Sequence, residues 1–266
     1  MTIATRDEYV AFCDAIHRLC KIDLSQYKRG QMERRVRTFG ERRGFKDLDG
    51  YLAAITTDQE EREAFLDRIT INVSQLWRNP EQWTRLEREI LPELADAPGS
   101  RIRAWSAGCS YGAEAYTLAA TMRDAAPSAR CEISGTDIDA RMVERARKGR
   151  FSKEDARSAP MPVLKRHFDL DDYTGEWQAK DELRRMARFE TGDLLRMRIP
   201  PQAYDLVLCR NTVIYFTPEV KDALHARIAA ALVPGGYFMV GSTERVNDPA
   251  QLGLEIVHPF VYRRVA

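Results

Sequence analysis

The sequence predicts an α/β fold preceded by a small all-helical domain, on three observations. Before about Arg68 the apolar residues recur only at helical spacing. From Arg101 onward short apolar runs alternate with helical ones, the rhythm of a sheet built with crossover helices. Glycines and acidic residues stand directly behind the first two of those runs, where an open sheet of this kind binds its ligand. The expected division is 1–70 for the helical domain and 71–266 for the α/β domain. A chain of 266 residues suffices to bury a substantial core.

In the first region, Thr5 and Glu8 have capping-box spacing, and Tyr9, Phe12, Cys13, Ile16 and Cys20 follow at helical intervals. A second helix follows Leu24, with Ser25 or Gln26 near its start and Gly40 or Gly44 near its end. Shorter helices are expected over 48–55 and 59–69. In the second region, 101–106 predicts a strand and 113–122 the helix behind it. Residues 131–136 form a second strand, 138–148 a helix, and 189–191 a short third strand. Tyr204–Cys209 is the clearest buried strand, followed by a helix over about 218–232. Pro234-Gly235-Gly236 turns the chain into a strand at 237–241, and a last strand covers roughly 254–262. This alternation implies a mixed, mostly parallel sheet. The polar stretch 169–188, centred on Tyr173-Thr174-Gly175, interrupts it and predicts a small antiparallel hairpin insertion.

Composition narrows the function. Basic and acidic residues nearly cancel, 41 against 40, which argues against a general nucleic-acid binder. The five cysteines (Cys13, Cys20, Cys109, Cys131 and Cys209) form no C-x-x-C pair, so neither a zinc site nor a disulfide framework is expected. Cys13 and Cys20, seven apart, share a helix face and read as core. No apolar stretch behind a basic flank opens the chain, and no uncharged run is long enough to cross a bilayer. A cytoplasmic protein, monomeric by default, is therefore expected. Only four histidines occur, with no Ser-His-Asp pattern and no cluster of metal ligands, so no metal site is expected.

The strand ends carry the chemistry. After the first strand comes Ala107-Gly108-Cys109-Ser110-Tyr111-Gly112, whose glycines let backbone pass close to a ligand at a helix N-terminus. Its spacing is G-x-x-x-G and not the G-x-G-x-x-G of a dinucleotide site, so a nicotinamide-dependent oxidoreductase is disfavoured. The second strand ends in Thr136-Asp137-Ile138-Asp139. A carboxylate there accepts hydrogen bonds from both hydroxyls of a ribose, or it caps the next helix. We assign the ribose to Asp137 and the cap to Asp139. The fourth strand ends in Cys209-Arg210-Asn211, followed by Ile214-Tyr215-Phe216, which puts an Asn and a Tyr toward the reacting end of a nucleoside ligand.

Five segments, in order, resemble the CheR methyltransferases. They are the pattern around Tyr27, Lys28 and Arg35; Ile71-Asn72-Val73-Ser74-Gln75-Leu76-Trp77-Arg78; the run from Trp105 through Gly112 to Thr117; Thr136-Asp137-Ile138-Asp139; and Cys209-Arg210-Asn211-Thr212-Val213-Ile214-Tyr215-Phe216, with a late Gly241-Ser242-Thr243-Glu244. The resemblance covers nearly the whole chain. It implies a Rossmann-like methyltransferase domain that binds S-adenosylmethionine, releases S-adenosylhomocysteine and esterifies glutamates on chemotaxis receptors.

Carried onto these positions, the likeness brings Asn72, Ser74 and Arg78 to the cofactor, with Arg78 on the methionine carboxylate, a task suited to a guanidinium fork. Ala107, Gly108 and Ile138 would line the cofactor, Glu114 would lie at its amino-acid end, Asp137 on the ribose, and Asp193 with Leu194 at the adenine edge. Asn211 and Thr212 would also touch the cofactor, Asn211 and Tyr215 would line the transfer channel, and Arg210, Asn211, Tyr215 and Arg78 are the candidates for positioning the reactants. The sequence departs from the family at Ala113, where a second acidic residue is usual, and at Ala115, where a proline is usual. It departs also at Trp77, for phenylalanine, and at Asp193, for asparagine.

Such a reaction needs no general base, because a glutamate carboxylate with a pKa of about 4.3 is already ionised at neutral pH. Lining up oxygen, methyl and sulfur then supplies most of the catalysis, on the order of 7–11 kcal/mol. The partner is read from a basic run, Lys28, Arg29, Arg34, Arg35, Arg37, Arg42, Arg43 and Lys46, opposed only by Glu33 and Glu41. That run is either a solvated helix face or a dock for acidic methylation helices of a receptor, with no role for nucleic acid or membrane insertion. A non-catalytic adaptor that senses cofactor or docks on receptors is the rival reading, supported by Ala113 and Ala115.

Overall fold

The computed structural model describes residues 7–70, 72–96 and 100–265. The chain divides into two compact units, one running to Asn72 and taking in Tyr215–Lys221, the other made of Val73–Ile214 and the residues from Asp222 onward. The recruitment of Tyr215–Lys221 to the first unit was not visible in the sequence, because that segment lies some 140 residues beyond the rest of it.

The helical unit comprises α1 (Glu8–Cys20), α2 (Arg29–Arg42), α3 (Leu48–Thr57) and α4 (Gln59–Thr70). Thr5 lies outside the described residues; the cap of α1 is Asp7, whose carboxylate accepts the N–H groups of Tyr9 and Val10. Glu8 instead accepts the Leu48 N–H at 2.8 Å and pairs with Arg37, tying α1 to α3 and α2. The second helix starts at Arg29, later than the sequence suggests, because Asp23 and Ser25 belong to a separate 3-10 turn over Leu24–Gln26. Gly40 sits inside that helix and Gly44 just beyond it. Phe12, Ile16, Tyr51, Ile55 and Phe65 are fully buried, each contributing roughly 1.5–3 kcal/mol through apolar burial. Cys13 is buried with them and Cys20 half-buried, as their shared face suggested.

In the second unit, α5 (Pro80–Arg85) runs through a π-helical turn into α6 (Leu91–Leu94). There follow β1 (Arg101–Ala107), α7 (Ala113–Ala125), β2 (Arg130–Asp137), α8 (Ala140–Lys148) and the short β3 (Arg150–Phe151). Next come α9 (Met161–His167), β4 (Phe168–Leu170), β5 (Trp177–Ala179), α10 (Asp181–Met186) and β6 (Ala187–Thr191). The chain ends with β7 (Tyr204–Cys209), α11 (Pro218–Ala231), β8 (Leu232–Val240), β9 (Leu254–His258) and β10 (Val261–Arg264).

The main sheet has seven strands in the order β6-β2-β1-β7-β8-β10-β9. The first five are parallel, while β10 runs antiparallel to both β8 and β9. Alternate residues serve two cores: Leu206, Leu208, Tyr237 and Met239 join the cluster that holds α7, whereas Val207, Cys209, Phe238 and Val240 are buried on the opposite face. Burial on both faces is why these strands read as continuous apolar runs.

Two expectations need correction. The single strand expected over 254–262 is a hairpin, β9 and β10, broken at Pro259 and Phe260; Pro259 has no N–H for the ladder, and Phe260 turns left-handed at φ 68°. The insertion expected over 169–188 is larger and begins earlier. It is a three-stranded sheet in the order β3-β5-β4, closed by a turn in which Asp171 accepts the N–H groups of Tyr173 and Thr174. The stretch Asp181–Met186 is already helix, and β6 has begun by Arg188.

Candidate active site

Strand order reverses at β1, where β2 leads one way and β7 the other, and the loops behind these three strands meet. The β1 loop crosses over β2: the N–H groups of Gly108 and Cys109 both donate to the Thr136 carbonyl, at 2.9 and 3.0 Å. Gly108 and Gly112 adopt φ of 80° and 86°, and a Cβ on Gly108 would collide with Thr212 behind β7. Ala107, at the end of β1, is fully buried.

Asp137 ends β2 almost wholly buried. One carboxylate oxygen accepts the Ser110 N–H at 2.7 Å and the other the Asp139 N–H at 3.0 Å. Burial pushes its carboxyl above the usual aspartate range, against the pull of those N–H groups. A carboxylate offers about four acceptor positions, so capacity remains for a further donor. Asp139 caps α8 through the Arg141 N–H and pairs with the Arg141 guanidinium at 2.9 Å, the role read from the sequence. Ile138 lies between them, half-buried. The Gly192 N–H donates to the Asp137 carbonyl, which brings the loop behind β6 alongside. In that loop Asp193 accepts the Leu195 N–H at 2.8 Å, and buried Leu194 gives its carbonyl to Arg227 at 2.7 Å.

Arg210 is the most committed side chain of the group. Its buried guanidinium donates to Gln82 at 3.0 and 2.7 Å, to Glu114 at 3.1 Å, to the Arg78 carbonyl at 2.7 Å and to Asn79 at 3.3 Å, and it lies over the Trp83 ring. Burial lowers its pKa, with Glu114 opposing, and the fork has acceptors on every side. Its work is to join the loop behind β7 to the segment before β1. Glu114 likewise shares its carboxylate between Arg210 and the Ser106 hydroxyl, at 2.7 Å. The guanidinium of Arg78, by contrast, meets only the Val73 carbonyl, at 2.7 Å, among the described residues, and pairs with no described carboxylate. Ser74 is fixed through its carbonyl, to which the Tyr111 hydroxyl donates; that hydroxyl also stands 2.8 Å from Asp155.

Sequence reasoning passed over the side chains that hold these loops. Gln82, buried, accepts from Arg210 and donates to the Val240 carbonyl at 3.1 Å, yet nothing in Glu81-Gln82-Trp83 signals it. Glu244, quoted only within a motif, is 3% exposed, and its carboxylate accepts the N–H groups of Asn211, Val213 and Gly241 at 2.6, 3.2 and 2.7 Å. Burial raises its pKa while the N–H groups counter it. Orphaning such buried donors costs about 1–3 kcal/mol each. Asn211 turns left-handed at φ 58°, and the Thr212 hydroxyl donates back to the Arg210 carbonyl at 3.3 Å. Cys109 and Cys209 flank this region fully buried, with burial pushing both thiols well above their ordinary value.

Asn72 and Tyr215 belong to the helical unit. The Asn72 amide donates to the Thr70 hydroxyl at 2.8 Å, and the Tyr215 carbonyl accepts the Lys28 N–H at 2.9 Å. The Tyr215 ring lies 5.8 Å from the Arg35 guanidinium carbon. Around it a cavity of about 320 Å³ is lined by Lys28, Arg34, Arg35 and Arg68. Three others of the basic run are occupied otherwise: Arg29 pairs with Asp7 and Glu33, Arg37 with Glu8 and Glu33, and Arg43 with Glu61.

Comparison with known proteins gives one pattern. A profile described as "CheR methyltransferase, SAM binding domain" matches residues 72–257, and one described as "CheR methyltransferase, all-alpha domain" matches 7–70. A chemotaxis protein methyltransferase of Listeria monocytogenes is 31% identical over 255 residues, 96% of each chain. Chemotaxis protein methyltransferase 1 of Pseudomonas aeruginosa is 30% identical over 92% of each chain, and that of Vibrio cholerae 30% over 90% of each.

Proposed function

This chain belongs to the CheR methyltransferase family, and from that premise we propose that it forms methyl esters on glutamate side chains of methyl-accepting chemotaxis receptors. Its cofactor is S-adenosylmethionine, which supplies an electrophilic methyl group on a sulfonium that is its own leaving group. The residues of the second unit fit it. Asp137 is a buried carboxylate at the end of β2 and is assigned to the ribose hydroxyls, and Gly108 lets the β1 loop run close to a ligand. Arg78 keeps its guanidinium clear of other carboxylates and is assigned the methionine carboxylate. Arg210 and Glu114, tied to each other and to several protein partners, are assigned to holding Arg78 and Ser106 in place. Ala107, Ile138, Asp193 and Leu194 are assigned to the nucleoside walls, and Ser74 and Thr212 to its approach.

The observation that carries the substrate reading is the cation-lined cavity around Tyr215. Four positive side chains favour an ionised carboxylate, which is the nucleophile this reaction needs, so no residue has to take a proton. Lys28, Arg34, Arg35 and Arg68 would draw acidic receptor helices to the helical unit, where Tyr215 borders the same cavity. Asn211 would border the transferred methyl group.

The test is methyl transfer from tritiated S-adenosylmethionine to chemoreceptor-containing membranes. The expected label is carried by receptor and released as methanol by mild alkali, as a carboxyl ester requires. Alkali-stable label, or S-adenosylhomocysteine binding without transfer, would overturn the reading, the latter in favour of a docking adaptor.

A further inference from the structure

The loop behind β7 has an anchor that the proposed chemistry does not use. Glu244 carries a charge-bearing group into a place where it is 3% exposed and accepts no hydrogen bond from a basic side chain among the described residues; its partners are backbone N–H groups. One oxygen takes Asn211 and Gly241 together, the other takes Val213. The same residue closes its own turn, its N–H donating to the Gly241 carbonyl at 2.9 Å. The carboxylate thus clasps the end of β8 to the loop behind β7. The clasp leaves no slack: a Cβ on Gly241 would stand 2.5 Å from the carboxylate, 2.9 Å from the Asn211 nitrogen and 3.0 Å from its side-chain amide.

Asn211 sits at the middle of this arrangement in a left-handed conformation, which asparagine tolerates better than most side chains but which still needs a partner to select it. Cross-strand ladder bonds end at Cys209, so the β-sheet does not fix it. Only a group with two acceptor oxygens and no hydrogen can take N–H groups on both sides, which a carboxylate does and an amide does not.

We infer that Glu244 is the positioning residue of the transfer step, holding Asn211 in its left-handed turn by accepting the N–H groups of Asn211, Val213 and Gly241. This rests on the reading that Asn211 borders the transferred methyl group. The isosteric Glu244→Gln turns an NH2 group toward backbone donors and releases one side of the clasp. Gly241→Ala opens the same clasp from the opposite side with the carboxylate retained.

Both variants are compared with the parent by amide hydrogen exchange over 209–215, by calorimetry with S-adenosylhomocysteine, and by kcat and KM on chemoreceptor membranes. Exchange at Asn211 and Val213 should quicken at least about tenfold and kcat fall by about tenfold or more, with cofactor affinity and receptor KM within about threefold. Unchanged exchange, undiminished kcat, a kcat loss matched by equal loss of cofactor affinity, or unfolding of both variants would overturn the inference. If one variant fails to fold, the other decides. A parent chain that methylates no receptor defeats the receptor reading instead, and the exchange comparison still judges the clasp.

Discussion

Asp137 is the residue whose chemistry the structure sharpens most. Buried, with both oxygens already accepting N–H groups, it holds a proton more tightly than an ordinary aspartate at about 3.9. Ribose hydroxyls donate to the ionised form, so a proton competes with the cofactor, and affinity for S-adenosylhomocysteine should weaken as pH falls through the raised value. Calorimetry in buffers of different ionisation enthalpy should register proton release on binding in mild acid. For the empty fold the sign is opposite. A raised carboxyl pKa stabilises the folded chain in acid, and that contribution fades as pH rises through it. Asp137→Asn should cost about 10–100-fold in affinity, the worth of hydrogen bonds to a charged group, and should abolish the proton release. Its position was legible because a strand-end carboxylate is local in sequence. The occupation of Arg210 was not: all of its acceptors lie in Arg78, Asn79, Gln82 and Glu114, about a hundred or more residues away, and no pattern within the Cys209–Phe216 motif points to them.

Among the elements, α2 changes meaning once its partners are known. As sequence it is a mostly basic run broken by Glu33 and Glu41, with Arg34, Arg35 and Arg37 equivalent. In the structure Arg37 is held by Glu8 and Glu33, whereas Arg34 and Arg35 line the cavity with Tyr215. The double variant Arg34→Glu, Arg35→Glu should slow receptor methylation by about tenfold or more while S-adenosylhomocysteine affinity stays put. Arg37→Glu should instead lower the melting temperature of the helical unit, since it sets like charges against two glutamates; a purely kinetic effect of that variant would contradict this division. Helices were readable because their period and their Asp caps are local. The hairpin of β9 and β10 was misread as one strand because the apolar run was weighed above Pro259. The insertion was started too late because β3 has two residues and is defined by pairing with Trp177 and Gln178.

At the scale of the whole chain, alternation of strand and helix was enough to fix the sheet's class, whereas the strand order β6-β2-β1-β7-β8 is a matter of pairing that the sequence does not display. What sequence order concealed was ownership: Tyr215–Lys221 is covalently part of one unit and structurally part of the other, through the pairing of Tyr27 with Phe216 and the Thr217 N–H bond to Gln26. The two buried thiols beside the strand ends carry a practical consequence. Cys109 and Cys209 are inaccessible and poorly ionised while the sheet is closed, so a maleimide can alkylate them only in moments when it opens. Their labelling, followed by mass spectrometry, should lag far behind that of half-buried Cys20 and Cys131 and slow further with S-adenosylhomocysteine. The chain thereby carries its own stopwatch for the breathing of its central strands.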